Sequence, residues 1–144
     1  MQRNDLKILL LQIRDDAKVR REELESFAKY SQLNIGQISV LNVFDTPNFN
    51  ESVLEGFHAL YVGGASEANV LEPEKYPFVT DCIKLIRFAG DNGIPTFASC
   101  FGFQLAVLAF GGVILSKDKD YEMGSIPIRS VSYTHLTLPT MQVV

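Results

Sequence analysis

The chain alternates short apolar runs with longer stretches in which apolar residues recur every three or four positions. Residues 6–13 (Leu-Lys-Ile-Leu-Leu-Leu-Gln-Ile) are apolar almost without interruption, the pattern of a strand covered on both faces of a parallel sheet. Asp15 and Asp16 then offer a helix cap and favourable first-turn charge. Val19, Leu24, Phe27 and Ala28 trace an apolar helical face, with Arg20, Arg21, Glu22 and Glu23 outside it. The charge run from Arg14 to Glu25 reads as a solvated helix face, and Asn34 and Gly36 are expected to close the helix. Residues 38–44 and 59–62 read as the second and third strands, the third running into Gly63-Gly64-Ala65-Ser66. Pro77 suits the first turn of a helix whose inner face is Val79, Cys82, Ile83, Ile86 and Ala89, ended by Gly90 and Gly93. Residues 94–99 give a fourth strand, 101–110 a helix stopped by Gly111-Gly112, and 113–115 and 126–128 two further short strands. This alternation predicts an α/β fold, a three-layer sandwich on a mainly parallel sheet.

A chain of 144 residues is long enough for one domain with a substantial core. Its 47% hydrophobic and 21% charged residues fit an ordinary globular protein. The net charge of −4, with no basic stripe, argues against nucleic-acid partners or an anionic membrane surface. The apolar run Ile8 to Leu11 is too short for a signal-peptide core or a membrane span. With no export signal and two cysteines, Cys82 and Cys100, a cytoplasmic location is expected. No Cys/His spacing suggests zinc, so no metal and no cofactor are expected.

The candidate chemistry lies in Pro95-Thr96-Phe97-Ala98-Ser99-Cys100-Phe101-Gly102-Phe103-Gln104-Leu105. A strand that turns sharply at a cysteine and enters a helix would hold the thiol above the sheet edge. The free amides of the helix start favour negative charge at that point. Amide hydrolysis by a thiolate passes through an oxyanion, and aimed backbone amides stabilise it. Phe101 can donate one from the helix start and Gly64 another from the facing loop, where glycine lets backbone approach substrate closely. Cys82 has no such setting and, in phase with Val79 and Ile86, is a core residue.

The elbow resembles that of the class I glutamine amidotransferases, which carry a Cys-His-Glu triad. The matching residues are Cys100, Gly102 and Gln104, then Leu105 and the Gly111-Gly112 pair. Gly63-Gly64 matches the loop lining the oxyanion hole, and Glu122-Met123-Gly124 with Pro127 resembles the stretch after the nucleophile helix. The likeness covers roughly residues 7–130 and is to stand-alone members similar to the amidotransferase half of guanosine monophosphate synthase. It implies a flavodoxin-like sheet, incomplete at the C-terminus, with Cys100 as nucleophile and Gly64 and Phe101 as the oxyanion hole. Gly63, Gly102 and Gln104 would form the substrate site. Glutamine is the implied substrate, with a synthase partner that receives ammonia.

Ala98 replaces the family's glycine two residues before the nucleophile, and Phe103 replaces the usual histidine before the Gln. The family's catalytic His and Glu lie far downstream, and the histidines here are His58 and His135. Without a base, the chain is expected to be reactive but catalytically incompetent. Residues 131–144 carry no Lys, Arg, Asp or Glu and resemble translated adaptor sequence found at the ends of incompletely assembled reading frames. They are expected to be non-native, with residues 1–130 a partial amidotransferase domain. Two alternatives use the same scaffold. One is a γ-glutamyl peptidase or hydrolase; the other is a non-catalytic binding or regulatory module. A flavodoxin-like redox sensor would need an acid beside its elbow cysteine, a role open to Asp15 or Asp16.

Overall fold

A computed structural model describes residues 1–115. The expected strand at 126–128, the Glu122-Met123-Gly124 stretch, Pro127, His135 and the charge-free tail lie outside the described residues. β1 (Ile8–Ile13) is followed by α1 (Ala17–Ser31), β2 (Ile38–Asn42), β3 (Ala59–Ala65), α2 (Phe78–Asp91), β4 (Thr96–Ala98) and α3 (Phe101–Ala109). The four strands are parallel in the order β2-β1-β3-β4. β1 is central, and all six of its residues are buried, which accounts for its nearly continuous apolar run.

Its alternate residues supply two cores. Leu9, Leu11 and Ile13 join Leu60 and Val62 of β3 against α2 and α3, through Val79, Leu85, Ile86, Leu105 and Ala109. Ile8 and Leu10 face α1, where Ala28, Leu24 and Phe27 cover them. The result is the expected three-layer, flavodoxin-like sandwich.

The start of α1 follows the sequence pattern: the Asp16 carboxylate accepts from the amides of Lys18 and Val19 at 2.9 and 3.0 Å. Its end does not. The helix stops at Gln32, whose φ of 55° is left-handed, before Asn34 and Gly36. The Gln32 amide donates to Lys29 and the Leu33 amide to Ala28, and Leu33 packs beside Ala28. This pair of hydrogen bonds with an apolar clasp terminates a helix without glycine. Asn34 instead opens the short 3-10 turn Ile35–Gln37 that leads into β2. Gly93, at φ 67°, follows the end of α2 as expected, whereas Gly90 lies inside the helix. Residues 113–115 do not form a strand; Val113 and Leu115 are exposed, and no strand pairs with them among the described residues.

Two buried polar side chains tie the carboxyl ends of β1 and β2 together. Asn42 Nδ2 donates to Gln12 Oε1 at 3.0 Å and to the Arg14 carbonyl at 2.8 Å, and Gln12 Nε2 donates to the Arg20 carbonyl at 2.9 Å. Among the described residues no helix is long and apolar enough to cross a membrane. Cys82 is fully buried on α2, and burial pushes its thiol well above the ordinary value of 9.0. The folded chain therefore keeps a proton that the unfolded chain releases at alkaline pH, so this group's stabilisation falls as pH rises. Urea titrations between about pH 8 and about pH 10 should show a shallower loss of stability in Cys82→Ala than in wild type. Equal slopes would contradict this.

Candidate active site

β1 and β3 are neighbours whose following helices lie on opposite faces of the sheet. Such a switch in winding opens a crevice at the carboxyl ends of the strands. Three segments reach it: Arg14 after β1, Gly63-Gly64 near the end of β3, and Ser99-Cys100 after β4. Leu11 pairs with Val62 and Ile13 with Ala65, so Gly63 and Gly64 stand opposite Gln12 alone. This is a β-bulge, a device that re-aims backbone at a sheet end.

Cys100 has φ 53° and ψ −115°, a strained backbone for a residue with a side chain. Its neighbours hold it there. The Ser99 amide donates to the Val62 carbonyl at 3.0 Å, and the Gly102 amide to the Ser99 carbonyl at 2.9 Å. A Cβ on Gly102 would stand 2.6 Å from that same Val62 oxygen, so only glycine lets α3 come this close to β3. The elbow leaves the Cys100 side chain exposed.

Of the residues singled out from the sequence, Cys100 and Gly64 meet in a cleft of about 620 Å³. A Cβ on Gly64 would lie 3.5 Å from the Cys100 Cβ. The Phe101 side chain is buried in the core, but its amide, first in α3, has no acceptor within its own helix. Gly63 faces α1: a Cβ there would lie 2.6–2.8 Å from the Glu23 carboxylate. Gly102 faces β3, and half-buried Gln104 stands one turn along α3, its amide donating to the Cys100 carbonyl at 3.2 Å. None of these three lines the cleft.

Arg14 and Glu23 do line it, and at these two positions the Arg14 to Glu25 run departs from the solvated face it otherwise forms. Arg14 Nε donates to Glu23 Oε2 at 2.8 Å, and the side chains are only 22% and 9% exposed. Glu23 could have been found from its spacing, since Val19, Glu23 and Phe27 fall four apart and place an acid on the apolar stripe. Asp15 and Asp16 are spent on the α1 cap. Phe27, Tyr61 and Phe97 form the aromatic wall of the cleft, with Phe27 stacked on Tyr61 at 5.2 Å between ring centres.

His58 stands just before β3, its Nδ1 accepting from the Lys7 amide at 2.9 Å. At about 3.3 Å per residue it is roughly 20 Å from Gly64, at the opposite sheet edge, and cannot serve Cys100. Among the described residues no group of three His, Cys, Asp or Glu side chains could hold a metal ion.

Two outcomes follow from the elbow geometry. Glycine at position 100 relieves the positive φ, so Cys100→Gly should be more stable than Cys100→Ala by about 1 kcal/mol in urea unfolding; the reverse order would refute the strain. Gly102→Ala should lose about 1–3 kcal/mol by overpacking against Val62, whereas Gly36→Ala, in open space, should stay within about 0.5 kcal/mol.

The family model described as glutamine amidotransferase class-I matches residues 41–143. The crystal structure of a glutamine amidotransferase from Thermotoga maritima is similar to this chain with a TM-score of 0.55 and 20% sequence identity. The similarity covers 74% of this chain and 44% of that one, so the chain spans less than half of that protein's length. No curated protein matches the sequence. The family match extends over most of the chain and includes both the glycine bulge and the cysteine elbow: the protein belongs to the class I glutamine amidotransferase family.

Proposed function

We propose that Cys100 is the nucleophile of a glutamine-hydrolysing site. The observation that carries this reading is the positive-φ elbow, which presents the thiol beside the Gly64 bulge. Its thiolate adds to the side-chain amide carbon of glutamine. The resulting oxyanion sits between the amides of Gly64 and Phe101. Collapse expels ammonia once the nitrogen has gained a proton, leaving a glutamyl thioester that water hydrolyses to glutamate and free thiol. Gly63 and Gly102 shape this site by making room for Glu23 and Val62. Gln104 is assigned to the substrate by the resemblance alone, as is a synthase partner that takes up the ammonia in the cytoplasm.

The proton transfers need a base. His58, the one histidine among the described residues, is at the wrong end of the sheet. We infer that this chain binds glutamine at a reactive cysteine without turning it over. Ammonia release from glutamine should not exceed that of Cys100→Ala, while millimolar glutamine should slow iodoacetamide alkylation of Cys100. Turnover abolished by Cys100→Ala would overturn the incompetence. Alkylation unaffected by glutamine at any concentration would overturn the glutamine reading itself.

A further inference from the structure

The Arg14–Glu23 pair is held from every side. Arg14 Nε donates to Glu23 Oε2 at 2.8 Å and Nη1 to Ser66 Oγ at 3.2 Å. The Arg14 carbonyl accepts from Asn42 Nδ2 and Arg20 Nε, each at 2.8 Å. The remaining nitrogen, Nη2, lies 2.7 Å from the point a Cβ on Gly64 would occupy, and the Cys100 Cβ lies 3.5 Å from that same point. At the other end of the pair, the Glu23 carboxylate covers Gly63, and its Oε1 is buried with no hydrogen-bond partner among the described residues. The pair is neutral as a whole, yet its positive end lies against Gly64, beside the cysteine, and its negative end against Gly63. A largely buried ion pair with an unsatisfied oxygen is a costly way to hold a helix on a sheet, since an apolar residue between Val19 and Phe27 would serve better.

We propose that Arg14 is a third, charged donor to the oxyanion formed at Cys100, with Glu23 and Ser66 as positioning residues that aim its Nη2. This inference rests on the glutamine reading. Reach selects the oxyanion over the substrate's other charged end. The α-carboxylate of a glutamyl group lies four carbons beyond the reacting carbonyl, whereas Nη2 stands next to Gly64, whose amide marks the oxyanion position. A charged donor forms a stronger hydrogen bond than a neutral amide. Fixing the guanidinium through Nε and Nη1 removes the entropy cost of ordering a long side chain during the reaction.

The test compares two electrophiles on the intact chain. A chloromethyl ketone analogue of glutamine reacts through addition to its carbonyl, which places negative charge on oxygen; the sulfur then passes to the adjacent methylene as chloride leaves, restoring the ketone and leaving a thioether. Iodoacetamide reacts by displacement at its methylene and places none there. Arg14→Gln should slow ketone labelling by about 10- to 100-fold and change the iodoacetamide rate by no more than about two-fold. Arg14→Lys, which keeps the charge but loses the fork, should recover part of the ketone rate, and it carries the test if Arg14→Gln does not fold. Glu23→Gln should slow the ketone alone, by less than Arg14→Gln. An unchanged ketone rate in both Arg14 variants, or an equal fall with both reagents, overturns the proposal. A wild-type chain that iodoacetamide alkylates but the ketone does not label overturns the glutamine reading and this inference with it.

Discussion

The site is organised around a single acceptor, the carbonyl of Val62. It receives the Ser99 amide that ends β4, and it occupies the place where any side chain at position 102 would point. Because α3 must begin within contact of β3, the chain has too little room to turn by ordinary backbone angles. Cys100 takes up the difference at φ 53°. The next two residues of β3 are the glycines of the bulge, so the carbonyl that pins the elbow also sets where the facing amide stands. A shift of β3 by one residue would turn its core face outward and separate the cysteine from its glycine.

The surrounding framework makes that strain tolerable. β1 is buried on both faces, and Val62 itself lies in the larger core with Leu11, Leu105 and Phe101. Backbone strain of about 1–3 kcal/mol persists only where packing over-determines the conformation, and this core does so. The same logic covers the Arg14–Glu23 pair. Glu23 breaks the polar-outside rule for α1 at one place, the wall of the cleft, where Arg14 from the loop after β1 meets it. Departures from local rules tend to gather where a protein acts rather than where it merely folds.

Much of this was legible in the sequence because the signals were local. The nearly continuous apolar run at residues 6–13, the Asp16 cap and the Ser99-Cys100-Phe101-Gly102 turn each carry their meaning within a few residues. What escaped needed a partner remote in sequence. The α1 stop at Gln32 depends on Leu33 packing beside Ala28, not on a glycine. Residues 113–115 have strand composition, yet a strand exists only where another pairs with it. Glu23 looked solvated beside Glu22 and Glu25, and only its fit over Gly63 reveals it as part of the site. Gly63 and Gly102 read as substrate contacts from motif alone, while their Cα atoms face Glu23 and Val62. Only Gly64 of the pair looks toward the thiol.

A crystal structure of the chain after reaction with the chloromethyl ketone analogue of glutamine tests the central claim most directly, that the elbow and the bulge form one oxyanion site. The account predicts a single thioether adduct on Cys100, its ketone oxygen within about 3 Å of the Gly64 and Phe101 amide nitrogens, with Cys100 still at positive φ. An adduct oxygen turned away from both amides, or an elbow relaxed to negative φ, would contradict it.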